Sequence, residues 1–328
     1  MKNVIALIIL VVISGCTNVI AAVFQRNSTA HFKVIDYNGN AVSNATAKIN
    51  TMKMWIPGEN FGRTVYMDVY GNSDANGEVH IAFPCKSTMF SYSVGADGFY
   101  GCGGGAQFAA VPDGLDLRQT QFETNLVVRL KPIINPCQMF VFQMASGLGK
   151  SLKYPQGSHG GTWGFDMKEG DWIAPYGKGV VADFFVEYSD SHFAEDKVLD
   201  CALVFTNSVN DGCYVAKCTG TRFRSDYAAD TNAKYMKRLD FDSWGKKFKG
   251  KFAAELLDAD EYLVIRSRTK CDDEGNVVSA NYAKIYGSIT FFLGMTFTSY
   301  FNPNENDPNL EADTTVNLMP GGEKGFAP

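Results

Sequence analysis

The chain has 328 residues, 45% of them hydrophobic and 20% charged, and its 30 basic and 35 acidic side chains give a formal net charge of −5. This balance excludes a disordered tail, a collagen-like chain and a basic nucleic-acid binder. The 24 Phe, 15 Tyr, 4 Trp and 32 Gly favour many short strands joined by tight turns. The length allows two domains of ordinary size.

The N-terminus carries a short apolar segment behind a single basic residue. Lys2 precedes the uninterrupted apolar run Val4 to Ile13, which has the length of a signal-peptide core and about half of the roughly 20 residues that a membrane-spanning helix needs. The next residues complete the tetrad Ile-Ser-Gly-Cys, which ends at Cys16 and resembles the bacterial lipobox. The resemblance implies that residues 1–15 are a signal peptide, that Cys16 is the site of lipid attachment, and that residues 16–27 are a tether.

This resemblance implies a location in the bacterial cell envelope. Two or three acyl chains would hold the protein stably on a membrane, and Thr17 after the cysteine favours the outer membrane by the rule known for enteric bacteria. Two alternatives stay open. Residues 19–21 (Val-Ile-Ala) offer an ordinary secretory cleavage site, and residues 4–24 could form an uncleaved anchor.

Seven further cysteines follow the lipobox, an odd number that leaves at least one outside any intrachain disulfide. They are Cys85, Cys102, Cys137, Cys201, Cys213, Cys218 and Cys271. The pairs nearest in sequence are Cys85 with Cys102 and Cys213 with Cys218, and an oxidising compartment would permit both. Because no CxxC occurs and the four histidines are far apart in sequence, we expect no metal site and no cofactor.

The first domain is expected over residues 28–132. Period-two strands around Phe32 and Val34 lead into a turn at 36–40, and turns at 73–79 and 96–99 precede a closing strand at 125–132. This order resembles the carboxypeptidase regulatory-like module, a transthyretin-like or Cna-B-like β-sandwich. The matching positions are Val34, Asp36, Gly39, Val42, Ala45, Asp74, Gly77, Ala96, Gly98 and Phe99, and Ala41 stands where that family usually has proline.

The resemblance implies a spacer or adhesion scaffold without a catalytic site of its own. The glycine-rich run Gly101 to Gly105 lacks the lysine and following helix of a phosphate-binding loop, so it is interpreted as a flexible connector.

The second domain is expected over residues 133–328, after Pro132 and Pro136. A hairpin turn is predicted at 272–276, and residues 252–257 fit a short helix or a strand equally well. Strands are predicted at 180–188, 202–205, 261–269, 277–286, 289–293 and 295–301. The complete fold is therefore expected to be all-β, with an Ig/transthyretin-like β-sandwich followed by a larger antiparallel β-sandwich or jelly roll. Residues 164–179, 205–212 and 300–311 are similar to uncharacterised bacterial proteins without an established activity.

Residues 163–183 hold the strongest candidates for chemistry. The acids Asp166, Asp171 and Asp183 occur close to the aromatic residues Trp163, Trp172 and Tyr176. Paired carboxylates beside aromatic rings are what glycoside hydrolysis uses. The structural alternative is a solvated acidic loop in which Trp172 caps the core.

Three other clusters are better explained by structure than by chemistry. Ser158 and His159 are adjacent, so on a strand or loop they would point apart, and no nucleophile-elbow context surrounds them. The oxygen-rich stretch 302–311 departs from the calcium-loop pattern and is expected to be a turn-rich connector. The basic run 246–251 is expected to solubilise a strand rather than to bind nucleic acid.

Two functional hypotheses follow. The first is a lipid-anchored, non-catalytic envelope protein that binds a glycan or an envelope protein through Trp163, Trp172 and Tyr176. The second is an envelope carbohydrate-active hydrolase that uses two of Asp166, Asp171 and Asp183. A concave pocket that contained these acids would favour the enzyme.

Overall fold

The computed structural model of the protein describes residues 26–56, 62–85, 89–107, 122–143, 152–155, 160–193, 196–218, 225–240, 257, 260–291 and 294–322. These residues form strands, turns and bends without a helix, so the predicted all-β class is confirmed. Within these ranges no helix has the length and apolar character that crossing a membrane requires. The chain divides into two compact units, unit 1 ending at Ile133 and unit 2 beginning at Ile134.

Unit 1 is a β-sandwich of two four-stranded sheets. Its strands are β1 (Arg26–Asp36), β2 (Thr46–Ile56), β3 (Arg63–Asn72), β4 (Glu78–Cys85), β5 (Met89–Gly95), β6 (Phe99–Tyr100), β7 (Cys102–Gln107) and β8 (Phe122–Pro132). The sheet orders are β4-β1-β8-β6 and β3-β2-β5-β7. Strands β1 and β8 are parallel, and the other neighbours are antiparallel.

The unit 1 core is built from alternate residues of both sheets. Phe32 and Val34 of β1 and Ile81 of β4 face Ile49 of β2 and Val94 of β5, and all five side chains are buried. Period-two alternation places such residues on one face and leaves their neighbours on the solvent face. Each sheet of unit 1 therefore presents a second, outward face.

Three turns share the sequence pattern Asp-x-x-Gly-x and the same hydrogen bonds. In each, the Asp side chain accepts the backbone N–H four residues later, as Asp74 Oδ1 accepts Glu78 N at 2.9 Å. The glycine adopts a positive φ, for example 77° at Gly77, a conformation that side chains with a Cβ rarely adopt. The three turns begin at Asp36, Asp74 and Asp272.

The interpretation of Gly101–Gly105 as a flexible connector is wrong. Residues Cys102–Gln107 form β7, which pairs with β5 in the register Gly103 to Ser93 and Gly105 to Ser91. Glycine is a weak strand former, so the sequence carries no strand signal there, and the ladder with β5 stabilises the extended backbone instead.

Unit 2 is a larger β-sandwich. Its strands are β9 (Cys137–Gln143), β10 (Gly160–Asp166), β11 (Asp171–Trp172), β12 (Phe184–Phe193), β13 (Asp196–Val204), β14 (Gly212–Lys217), β15 (Arg238–Asp240), β16 (Glu261–Cys271), β17 (Val277–Phe291), β18 (Met295–Phe301) and β19 (Ala312–Asn317). The sheet orders are β11-β10-β12-β13-β15 and β14-β16-β17-β18-β9-β19. All pairs are antiparallel except β19 with β9.

The six-stranded sheet of unit 2 is buried on both faces. Its inner face carries Leu263 and Ile265 into the main core against Phe165 and Phe184 of the five-stranded sheet. On its outer face, Tyr262 and Val264 pack with residues 229 and 310 in a second cluster. Burial on both faces explains why residues 262–265 of β16 form a continuous apolar run rather than an alternation.

Several predictions lie outside the described residues. They concern Cys16, the signal peptide and its alternatives, the Ser158–His159 pair, the basic run 246–251, and all but the last residue of 252–257.

Candidate functional site

The structure buries two of the three aromatic residues that were expected to form a binding surface. Trp163 is 5% exposed and Trp172 is 3% exposed, and both belong to the main core of unit 2. Trp163 stacks on Tyr154, and the Trp172 indole N–H donates to the Lys153 carbonyl at 2.8 Å. Only Tyr176, 44% exposed, remains on the surface. The prediction of an aromatic binding surface at residues 163–176 is therefore wrong, because residues distant in sequence pack over both tryptophans.

The candidate acids Asp166 and Asp183 are brought together, but around an arginine. Arg268 donates from Nε to Asp183 Oδ1 at 2.8 Å and from Nη2 to Asp166 Oδ1 at 2.8 Å. A further bond joins Nη2 to Asp183 Oδ2 at 2.9 Å, and the guanidinium also lies over the Phe301 ring. Both carboxylates are almost fully buried. The arrangement is an ion-pair network inside unit 2.

A bulge in β16 makes this network possible. The register with β17 shifts between Ser267 and Lys270, and Arg268 has a positive φ of 55°. In a regular strand successive side chains point to opposite faces, whereas a bulge re-aims one of them. Ser267 Oγ and Arg268 Nε consequently reach the same oxygen, Asp183 Oδ1.

Backbone N–H groups also donate hydrogen bonds to these two carboxylates. Asp166 Oδ2 accepts the N–H groups of Val180 and Val181 at 2.9 and 3.1 Å, and Asp183 Oδ2 accepts that of Met167 at 2.7 Å. These bonds also explain why β12 begins at residue 184 instead of the predicted 180. The N–H groups of Val180 and Val181 cap a carboxylate and are not available to a strand partner.

The electrostatics keep Asp166 ionised. Burial opposes its charged form, yet the bonds from Val180 and Val181 and the charge of Arg268 together lower the pKa of Asp166. Burial likewise opposes the charged form of Arg268, and its bonds to Asp183 and Asp166 raise the Arg268 pKa. A general acid in glycoside hydrolysis needs a raised carboxyl pKa. Asp166 therefore has the opposite of the required property.

Asp171 has a separate structural role, outside the ion-pair network. Its carboxylate accepts the N–H of Trp172 at 2.8 Å and that of Lys178 at 3.1 Å, and so closes the turn after β11. The three candidate acids thus stabilise backbone and ion pairs and do not form a concave pocket with two available carboxyl groups.

The oxygen-rich stretch 302–311 is a connector held by its own side chains. Asn302 donates to the carbonyls of Asp307 and Asn309, and Asn309 donates to the Asn135 carbonyl. Glu311, 1% exposed, accepts the N–H groups of Ile134 and Asn135 at 2.9 and 2.6 Å. These contacts agree with the expected turn-rich connector, and they fix the first residues of unit 2.

Three of the described cysteines are thiols that form no disulfide. Cys213 is a buried free thiol, which excludes the disulfide with Cys218, and burial raises its pKa to about 12. Cys137 and Cys271 are also free thiols. The side chain of Cys85 lies outside the described residues, so its pairing with Cys102 stays a prediction.

A shallow groove of about 350 Å³ lies on the five-stranded sheet of unit 2. Gly160 and Gly161 border it, together with an exposed charge cluster in which Arg238 pairs with Glu187 at 2.7 Å and with Asp240. Arg238 therefore offsets only one of the two acids, and the charged residues that line this groove keep an excess of one negative charge.

The sequence analysis missed a surface of unit 1 that we call the tyrosine face, formed by Lys48 and Asn50 of β2 and Tyr66, Asp68 and Tyr70 of β3. The register places Lys48 opposite Tyr70 and Asn50 opposite Asp68, so the five side chains share the outward face. Tyr66 is 61% and Tyr70 60% exposed. The signal was present in the sequence as a period-two alternation of Tyr, Asp and Tyr with Val and Met over residues 65–70.

Between the two tyrosines the tyrosine face carries an ordered polar cluster. Asp68 Oδ1 accepts the Asn50 amide at 2.7 Å, and Asp68 Oδ2 lies 2.8 Å from Lys48 Nζ. The bond from Asn50 and the bond from Lys48 lower the pKa of Asp68, so the carboxylate is ionised. The Lys48 ammonium lies 6.0 Å from the Tyr70 ring centre.

The same sheet continues as a flat polar shelf beside the cluster. Ser91 and Ser93 of β5 are exposed, and their partners in β7 are Gly105 and Gly103, which have no side chain. A Cβ added at Gly105 would meet only open space. The shelf thus leaves room for a ligand beside Lys48 and Asn50, on the side of β2 away from the two tyrosine rings.

Comparison with known proteins gives little beyond the fold class. No protein-family model and no curated protein matches the chain. A streptococcal ancillary pilin is 10% identical over 87% of this chain and 61% of its own, with a TM-score of 0.20. The major pilin SpaD from Corynebacterium diphtheriae is 9% identical over 82% and 65%, with a TM-score of 0.21. The shaft pilin spaA from Lactobacillus rhamnosus GG is 13% identical over 66% and 93%, with a TM-score of 0.19. The chain spans less than two thirds of the first two, and at these TM-scores the likeness carries no functional argument.

Proposed function

We propose that the protein is a lipid-anchored, non-catalytic binding protein of the bacterial cell envelope that recognises a glycan through the tyrosine face of unit 1. The observation that carries the proposal is the pairing of two exposed tyrosines, Tyr66 and Tyr70, with the ordered cluster of Asp68, Asn50 and Lys48 between them.

The chemistry of this face suits a sugar chain. Tyr66 and Tyr70 are four residues apart on one strand, which corresponds to about 13 Å. That separation matches a short oligosaccharide, whose sugar rings present C–H groups that pack against aromatic rings. Asp68 supplies acceptors, Lys48 supplies donors and Asn50 supplies both, as sugar hydroxyls require.

The layout of the face favours a glycan over a protein partner. A protein interface has an apolar centre and a polar rim. Here the centre is ionic and hydrogen-bonded, around Asp68, and the apolar rings stand at either side. The side chains at the centre are already held by one another, which lowers the entropy cost of binding.

A hydrolase is the weaker alternative for this chain. It would require two available carboxyl groups near each other, but Asp166 and Asp183 are both bound to Arg268, and Asp171 closes a turn. A non-catalytic role is also what the resemblance of residues 28–132 to the carboxypeptidase regulatory-like module implies.

The anchor rests on the N-terminal sequence. The apolar run Val4 to Ile13 followed by Ser-Gly-Cys supports cleavage before Cys16 and attachment of lipid to its thiol. Thr17 supports retention in the outer membrane. With Cys16 as the first residue of the mature protein, the residues between it and β1, which begins at Arg26, would link unit 1 to the lipid, so the linker would be two residues shorter than the expected 16–27.

The glycan assignment is tested by binding a panel of envelope and host oligosaccharides to the full-length protein in detergent. We expect Tyr66→Ala and Tyr70→Ala each to weaken binding about tenfold or more, because each removes one ring that contacts the ligand. Tyr176→Ala is the matched control, since it removes an exposed tyrosine of unit 2, and it should leave binding unchanged. Loss of binding in this control alone, or no binding of any oligosaccharide at millimolar concentration, contradicts the assignment.

The anchor is tested separately by metabolic labelling with a palmitate analogue. We expect Cys16→Ser to abolish labelling and to release the protein from membranes. Cys271→Ser, which removes an exposed thiol of unit 2, is the control and should label normally. Equal labelling of the wild type and Cys16→Ser would contradict the lipid anchor without affecting the glycan assignment.

A further inference from the structure

Two histidines that are far apart in sequence are neighbours in unit 1. His31 of β1 and His80 of β4 are directly opposite in the antiparallel register. Their Nδ1 atoms are in contact, and the ring centres are 4.6 Å apart with an interplanar angle of 79°. The expectation that the histidines do not form a site rested on their spacing in sequence alone, which strand pairing overrides here.

Two charged neighbours favour one orientation of His80. The His80 Nε2 atom lies 3.9 Å from Glu78 Oε2, and Glu78 Oε1 in turn lies 3.3 Å from Lys33 Nζ. A histidine that binds a metal through one ring nitrogen commonly presents the other to a carboxylate, which fixes the tautomer and the ring orientation. Glu78 therefore lies on the Nε2 side of the His80 ring, and the Nδ1 atom of His80 faces His31.

We propose that His31 and His80 form a surface binding site for a divalent transition metal ion of the Zn²⁺, Ni²⁺ and Cu²⁺ group. Imidazole nitrogen is a preferred ligand of these ions, whereas Ca²⁺ and Mg²⁺ require oxygen ligands. The two Nδ1 atoms already converge on one point, and a small opening of the rings would place both at the usual distance of about 2.0–2.1 Å from an ion.

The site would be open to solvent. Among the residues that the structure describes, no group of three His, Cys, Asp or Glu side chains is arranged to hold a metal. Two protein ligands leave coordination positions for water or for a group from another molecule. The His80 side chain is 61% exposed and β4 is an edge strand of its sheet, so the site is accessible.

The proposal is independent of the glycan assignment. The histidines lie on the β4-β1-β8-β6 sheet, whereas the tyrosine face belongs to the other sheet of the sandwich. Metal binding can therefore fail while glycan binding holds, and the reverse.

The experiment is a titration of Ni²⁺ into the full-length protein, prepared in detergent without a histidine tag and followed by isothermal calorimetry. We compare the double variant H31Q/H80Q with H159Q/H192Q, which removes the other two histidines of the chain. Both variants keep every cysteine, so binding of Ni²⁺ to thiols contributes equally to both. Because His80 is exposed, we expect the fold to persist, which an unchanged thermal unfolding midpoint checks.

We expect the wild type and H159Q/H192Q to bind one equivalent of Ni²⁺ that H31Q/H80Q does not bind. Each single variant, H31Q or H80Q, should weaken this binding at least tenfold, because it removes one of the two imidazole ligands. Equal binding by H31Q/H80Q and the wild type would overturn the proposal, as would loss of the same equivalent in H159Q/H192Q.

Discussion

Replacing Arg268 by methionine should strongly destabilise unit 2. The substitution keeps most of the side-chain length but removes a guanidinium that makes three bonds of 2.8–2.9 Å to two buried carboxylates. Asp166 is 2% and Asp183 is 1% exposed, so both would be left as buried charges without their cation. Breaking a buried ion pair by removal of one partner costs about 3–5 kcal/mol.

The size of this loss should depend on pH in a defined direction. The folded-state pKa of Asp166 lies below its ordinary value of 3.8, so its contribution to stability is present above pH 3.8 and is lost as the pH falls through the folded pKa. Without Arg268, protonation of Asp166 relieves its part of the penalty. The difference between the wild type and Arg268→Met should therefore be largest near pH 7 and shrink in acid.

The measurement is urea unfolding at pH 7 and below pH 4, followed by tryptophan fluorescence, because two buried tryptophans of unit 2 report on its core. The matched control is Arg238→Met. Arg238 also contacts two acids, Glu187 and Asp240, but all three side chains are 40–46% exposed. Its loss should cost less than about 1 kcal/mol. Similar losses for both variants, or a loss below about 1 kcal/mol for Arg268→Met at pH 7, would refute the assignment of a buried structural network.

Two further substitutions test other buried carboxyls. Asp211 Oδ2 is buried without a hydrogen-bond partner among the described residues, and burial raises the Asp211 pKa, so the native state loses stability as pH rises from 3.8 through the folded pKa. Asp211→Asn, which keeps the Oδ1 acceptor for Thr269, should raise the free energy of unfolding at pH 7 by about 1 kcal/mol and give no gain near pH 3; a loss at pH 7 contradicts this. Glu311→Gln replaces one of the two carboxylate oxygens that accept the N–H groups of Ile134 and Asn135. It should lower the free energy of unfolding in urea by about 1–3 kcal/mol. An unchanged unfolding midpoint would show that these two hydrogen bonds do not stabilise unit 2.

The parts of the fold that the sequence predicted are those that local contacts determine. The turns at Asp36, Asp74 and Asp272 were predicted correctly because each aspartate accepts backbone N–H groups within four residues of itself. The all-β class was also predicted correctly, because the alternation of apolar and polar residues is a local pattern in the sequence. Cys102–Gln107 was missed because a run of glycines has no alternation and takes its extended form from β5.

The candidate site was harder to predict because its contacts are distant along the chain. Arg268 binds carboxylates 85 and 102 residues away, so nothing near Asp166 or Asp183 in the sequence indicates a cation. The burial of Trp163 and Trp172 likewise depends on partners in other strands. His31 and His80 are 49 residues apart in sequence, and only the register of β1 with β4 brings them into contact.

The acids discussed for the two units differ in exposure, and this difference supports the proposal that unit 1 carries the binding surface. In unit 2, acids such as Asp183 and Glu311 are buried and serve backbone and arginine donors, and the six-stranded sheet is covered on both faces. In unit 1, Asp68 and His80 stand on outward faces and contact charged or polar neighbours there. Binding needs groups that are ordered and yet accessible. Unit 1 offers such groups on both of its sheets, so substitutions there should change binding with little effect on stability, whereas substitutions of the buried acids in unit 2 should do the reverse.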